Sequence, residues 1–176
     1  MIRDLPVRHY GYAVANIEEA AHTWTTLFGA GPFFMMGNVE FDFLSHPGGD
    51  CTFVHSVAFG QWGSIAIELM NVEACSPPAV AERLIPGPMP VLNHVSYFAS
   101  DPDEENERLE KLGAELYLRA RSGPIDARMF DARKLIGCSI EVHRQSDAIA
   151  GFFEEVRRSS VGWNGDNPLR MAQPPV

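Results

Sequence analysis

The chain reads as an α+β protein in which two βαβββ modules join into one curved mixed sheet around a cavity, with a helix after the second module. Three observations predict this. A strand, a helix and a run of strands occur twice in the same order. Each copy opens on a strand carrying a histidine and closes on one carrying a glutamate. Alternation along those strands places the four side chains on faces otherwise made of small or polar residues, while large apolar groups fill the opposite faces. A βαβββ unit cannot cover both faces of its own sheet, so pairing two copies is a physical way to finish the fold.

In the first module, residues 1–72, the strand at 7–14 puts His9, Gly11 and Ala13 on one face and Tyr10, Tyr12 and Val14 on the other. Asn16 can cap the helix that follows, Glu18 and Glu19 suit its positive end, Trp24, Leu27 and Phe28 give it an apolar face, and Gly29 stops it. Residues 32–70 are β-rich, with strands at 33–36, 40–44, 51–58 and 64–70 between glycine and proline turns. Five prolines with Gly87 make 73–90 read as a linker. The second module, 91–146, repeats the order: a strand at 91–99, a helix capped by Asp101 with Pro102 in its first turn, then strands at 115–120, 127–131 and 137–143. Within the C-terminal region 147–176, Ile149, Phe152, Phe153 and Val156 fall at helical spacing. The tail after it, with Trp163 and Pro168, is expected to pack on the surface or across a subunit boundary.

Composition removes several classes of function. A formal net charge of -9, with Lys111 and Lys134 the only lysines, argues against a nucleic-acid surface, because phosphate contacts need a basic patch. No apolar run approaches the roughly 18 residues of a membrane span, and no secretory leader is visible, so the cytoplasm is the expected compartment. Cys51, Cys75 and Cys138 lack CxxC spacing and read as free thiols.

The candidate site follows from the repeated order. His9 and Glu68 lie 59 positions apart, His94 and Glu141 47 apart, so the first copy carries the longer loops. Two neutral imidazoles and two carboxylates can hold one divalent ion if the strands converge, and zinc, cobalt, nickel, manganese, iron and magnesium all remain open. Glu141 is the first choice for a ligand that doubles as a base. The aromatic and methionine content of the strands points to a largely apolar or aromatic small-molecule substrate, with Phe34, Phe43, Phe53, Trp62, Met70, Phe98 and Met129 as candidate contacts. His143, two residues beyond Glu141 on its face, is a further candidate contact or support for the ligand.

The strand Arg8-His9-Tyr10-Gly11-Tyr12-Ala13-Val14, the Asn-Ile-Glu-Glu-Ala-Ala helix start, the Trp-x-x-Leu-Phe-Gly helix end and Asn93-His94-Val95-Ser96 resemble the vicinal oxygen chelate (glyoxalase / bleomycin resistance / dioxygenase) superfamily, nearest its glyoxalase I and methylmalonyl-CoA epimerase branch. The resemblance covers about residues 7–143. It implies the paired modules and a ligand from the first and last strand of each, which map onto His9, Glu68, His94 and Glu141. It further implies a second proton-transfer carboxylate from the first module, where Glu40 and Asp42 both qualify. The implied activity is that of a metal-dependent isomerase, epimerase or lyase working by proton transfer next to a carbonyl. The alternatives are an extradiol-type iron oxygenase and a metal-free binding protein of the bleomycin-resistance kind. A homodimer is expected, since curved open sheets leave edges and apolar surface that a second copy can cover.

Overall fold

The computed structural model describes residues 5–172 and shows one mixed sheet of ten strands, curled into a half-barrel, with five helices. The first module comprises β1 (His9–Ala13), α1 (Ile17–Phe28), β2 (Phe33–Val39), β3 (Phe43–Ser45), β4 (Thr52–Trp62) and β5 (Ile65–Ser76). Asn16 caps α1 by accepting from the Glu19 amide at 3.1 Å, and Gly29 ends it in the left-handed region. After α2 (Pro78–Leu84) come β6 (Val91–Ala99), α3 (Pro102–Lys111), β7 (Glu115–Ser122), β8 (Ile125–Asp131), α4 (Arg133–Ile136) and β9 (Ser139–Arg144). Asp101 caps α3 by accepting from the amides of Asp103 and Glu104. Next, α5 (Asp147–Ser160) leads to β10 (Leu169–Met171).

Strand order is β10-β2-β4-β5-β1-β6-β9-β8-β7-β3. Each module folds around its own parallel pair, β1 with β5 and β6 with β9, and the modules meet along the antiparallel β1–β6 seam. The outer faces are dry. Val14, Ile17, Ala21, Ile67 and Leu69 pack under α1, and Tyr97, Leu109, Phe130 and Val142 under α3.

Four features depart from the sequence reading. The expected linker is occupied: β5 runs on to Ser76 and Pro78–Leu84 forms a helix, which tolerates its prolines because first-turn amides have no helical partner. The strand expected at 40–44 forms only at Phe43–Ser45 and pairs with β7 of the other module, carrying the β2–β4 connection across the barrel. A short helix, α4, precedes Gly137. The tail adds β10 parallel to β2, with the Trp163 ring packed beside Gly31, where a Cβ would meet it at 2.8 Å. No helix among the described residues is long and apolar enough to cross a membrane.

Candidate metal centre

Strand register brings the four sequence-singled side chains to one point. Across the β1–β6 seam His9 stands opposite Ser96, and Gly11 opposite His94. In the parallel pairs Gly11 is level with Glu68, and Ser96 with Glu141. Thus each position flanked by two candidate ligands holds a small residue. At Gly11 the need is steric, since a Cβ there would fall 2.1 Å from the His94 ring.

The donor atoms converge. His9 Nε2 lies 3.0 Å from Glu68 Oε2 and 3.0 Å from Glu141 Oε2. His94 Nε2 lies 3.0 Å from Glu68 Oε2 and 3.4 Å from Glu141 Oε2, and the two Nε2 atoms are 3.1 Å apart. An ion with bonds of about 2.1 Å spaces neighbouring donors by about 3.0–3.4 Å, so these residues fit a divalent cation. Glu141 Oε2 adds a second sign: it is buried and makes no hydrogen bond among the described residues although imidazole nitrogens crowd it, as suits an atom aimed at an ion. All four are buried or nearly so, and together they could hold a metal ion.

The charges support one another. Burial alone would push the His94 and His9 imidazoles down, but the Glu141 and Glu68 carboxylates outweigh it and hold both up. Burial would likewise raise Glu68 and Glu141, and the surrounding imidazoles hold both below the usual carboxylate range, with His143 helping at Glu141. The cluster is built for ionised carboxylates.

The two histidines are oriented by different means. Asn93, fully buried, donates its amide to the carbonyls of Arg83 and Leu84 at 2.8 Å each, satisfying the open end of α2. Its Oδ1 is therefore left to accept from His94 Nδ1 at 2.6 Å, which turns Nε2 toward the cluster. His9 has no such partner. Its Nδ1 is buried without a hydrogen bond among the described residues, and its ring is held by Phe153, stacked at 5.4 Å, and Phe59, edge-on at 5.4 Å. Helix α5 thereby closes one end of the barrel over the cluster with Phe152 and Phe153.

On the other side of the cluster lies a cavity of about 100 Å³. Its walls are Phe53, Val57 and Phe59 from the first module and Leu118, Ala127 and Met129 from the second. Of the candidate substrate contacts, Phe53, Met70, Met129 and His143 line it, the last with Nε2 3.0 Å from Glu141 Oε2. The others stand elsewhere. Phe34 is half-buried in the inner core beside the cavity, and Phe43 is exposed on β3 beneath the Arg121 guanidinium. Trp62, at the β4 hairpin end, joins Trp24 and Phe28 on the outer surface. Phe98 shares the face of His94 but sits farther along β6, against Phe153 and beneath Arg8. Glu40 is exposed between β2 and β3, and Asp42 is exposed and accepts from Ser122 at 3.2 Å; neither lines the cavity. Conversely, His55 lines it, and Asn93 and Phe153 support the ligands, roles that sequence reasoning missed. A signal existed for two of them: His55 alternates with Phe53 and Val57, and Asn93 precedes a ligand histidine.

Comparison with known proteins agrees with this architecture. The profile of the glyoxalase/bleomycin resistance protein/dioxygenase superfamily matches residues 8–128. Among solved structures, a hypothetical protein of Bacillus halodurans C-125 superposes with a TM-score of 0.56 at 15% identity, covering 82% of this chain and 97% of that one. A methylmalonyl-CoA epimerase of Mycobacterium tuberculosis gives 0.53 at 16% identity, with coverage of 86% and 97%. A methylmalonyl-CoA epimerase in complex with methylmalonyl-CoA and ammonium gives 0.50 at 11% identity, covering 81% and 96%. At these identities the likeness is one of fold. No curated protein matches the chain.

Proposed function

Because the chain belongs to the glyoxalase/bleomycin resistance protein/dioxygenase superfamily, we propose that it is a metal-dependent isomerase, epimerase or lyase that moves a proton next to a carbonyl of a largely apolar small molecule. The observation that carries this reading is the convergence of His9, Glu68, His94 and Glu141 at the floor of an apolar-walled cavity. A divalent ion held by these four would polarise a carbonyl oxygen and make the neighbouring carbon more acidic.

The side chains supply the rest. Glu141 lines the cavity and is held ionised, so it is available to accept a proton from a carbon placed beside it. His143 Nε2 stands 3.0 Å from that carboxylate. Phe152 and Phe153 pack on Phe59 at the far side and add apolar surface around the developing charge. Neither Glu40 nor Asp42 lines the cavity, and Glu141 carries the proton transfer in this reading. At about 100 Å³ the cavity is smaller than the roughly 150 Å³ space that takes up benzene. The buried part of the substrate is therefore a short acyl group or one small ring, and a larger body extends out of the mouth.

The test is solvent deuterium incorporation into small ketones and acyl thioesters by metal-loaded, chelated and Glu141→Gln protein. Loaded protein exchanges, chelated protein does not, and Glu141→Gln loses about 10²–10⁴-fold. Equal exchange by chelated protein sinks the reading. A homodimer belongs to the same proposal. Its support is the exposed apolar patch of Leu27, Phe28 and Trp62, while the sheet's edges are the three-residue strands β10 and β3. A stable monomer by light scattering at micromolar concentration removes it.

A further inference from the structure

Among the described residues, five with ionisable side chains line the cavity: Glu68, His94 and Glu141 of the cluster, His143 beside it, and His55. His55 is only 6% exposed, and its Nδ1 is sealed from solvent with no hydrogen-bond partner among the described residues. Phe53 stacks on one face of the ring at 4.3 Å, and Phe41 lies nearly parallel at 5.6 Å and itself 5.8 Å from Phe53, so the side chain is embedded beside aromatics and its polar contacts fall to the ring nitrogens. An imidazole left so in an apolar wall is costly to the fold unless something completes its hydrogen bonding.

The fold itself does not require an imidazole here. The modules are related by register: Phe59 pairs with Glu68 as Met129 pairs with Glu141, and Val57 corresponds to Ala127. Two residues earlier on each strand stand His55 and Ile125, and both line the cavity. The second module fills the equivalent place with a plain hydrocarbon.

We propose that His55 is a specificity residue that hydrogen-bonds a hydroxyl on the substrate remote from its reacting carbonyl, so that the preferred substrate is a small, otherwise apolar hydroxy-carbonyl compound. This rests on the cavity being the substrate site of the carbonyl chemistry above. Burial pushes the imidazole down, so at neutral pH it presents one donor and one acceptor, and a hydroxyl, which can both donate and accept, suits either tautomer.

The experiment compares butanone with 4-hydroxy-2-butanone on the full, zinc-loaded chain. Binding is followed by the ¹⁵N imidazole resonances of the histidines, and deuteration next to the carbonyl is read in the same D₂O samples. The wild type prefers the hydroxylated ketone by roughly 3- to 10-fold, the worth of one neutral hydrogen bond. That ligand alone shifts the His55 resonance, and His55→Phe abolishes the preference. His55→Gln, which keeps a donor and an acceptor, retains part of it and serves if His55→Phe folds poorly. No preference in the wild type, or the same preference in His55→Phe, overturns the proposal. Preference without deuteration supports the His55 contact and counts against the proton-transfer reading, whereas deuteration without preference overturns the His55 contact alone.

Discussion

The two modules present the same scaffold with different chemistry at matching places. Both put a histidine on the first strand and a glutamate on the last, and both leave a small residue, Gly11 or Ser96, where two ligands approach. Yet His94 is fixed by a hydrogen bond relayed through Asn93 to α2, whereas His9 is fixed by ring packing against Phe153 and Phe59. The cavity walls differ in the same way. The first module offers His55 and Phe59 where the second offers Ile125 and Met129, and His143 answers to Met70. The comparison teaches that register alone sets where the ligands meet. How each is oriented depends on elements outside the repeat, α2 and α5, and what each wall recognises depends on the residues that differ at matching places of the paired strands.

The largest effect that would break this view concerns the ligands themselves. His9→Ala and His94→Ala are each expected to lower metal affinity by more than about 100-fold, beyond the range usual for loss of an outer partner. Full occupancy of both variants by elemental analysis would refute the centre.

Asn93→Ala sharpens the contrast, because it frees the His94 ring and leaves two α2 carbonyls without a donor. Metal affinity should fall about 10- to 100-fold, measured by competition with a chromophoric chelator, and an unchanged affinity would show that the relay does not orient His94. Phe153→Leu tests the other support. It should cost stability by about 1–2 kcal/mol through lost packing while lowering metal affinity less than Asn93→Ala, since the remaining Phe59 contact still restrains His9. If Phe153→Leu proves the more damaging to affinity, ring packing outranks the hydrogen bond.

The smallest expected effect is a pH dependence from His55. Burial holds its folded pKa below the ordinary 6.5, so below 6.5 the unfolded chain binds the proton more readily than the folded one. Its contribution therefore destabilises in acid, lessens as pH rises toward 6.5, and is absent above. Urea midpoints between about pH 5 and about pH 7.5 should show His55→Phe gaining on the wild type toward acid. Parallel curves would mean that the imidazole is no harder to protonate folded than unfolded.

The sequence by itself determined the paired-module fold and which four side chains could meet, because strand alternation and the repeated His and Glu positions are local properties of the chain. Helix limits were legible for the same reason: Asn16, Gly29 and Asp101 act within a few residues of themselves. Tertiary structure decided the rest. Alternation assigns a face but not a depth along the barrel, so Phe53 and Met129 line the cavity while Phe98, on a ligand-bearing face, lies toward α5, and Trp62 at a hairpin end lies outside. Glu40 and Asp42 fall in the loop that carries β3 to the far edge of the sheet, a pairing over some 75 residues that no local pattern announces. The proline-rich stretch hides a helix whose end anchors Asn93, and α5 reaches back across the chain to stack on His9. Contacts between segments this distant are chosen by the packing of the whole barrel, and so the orientation of the ligands and the shape of the cavity emerge only when the chain is folded.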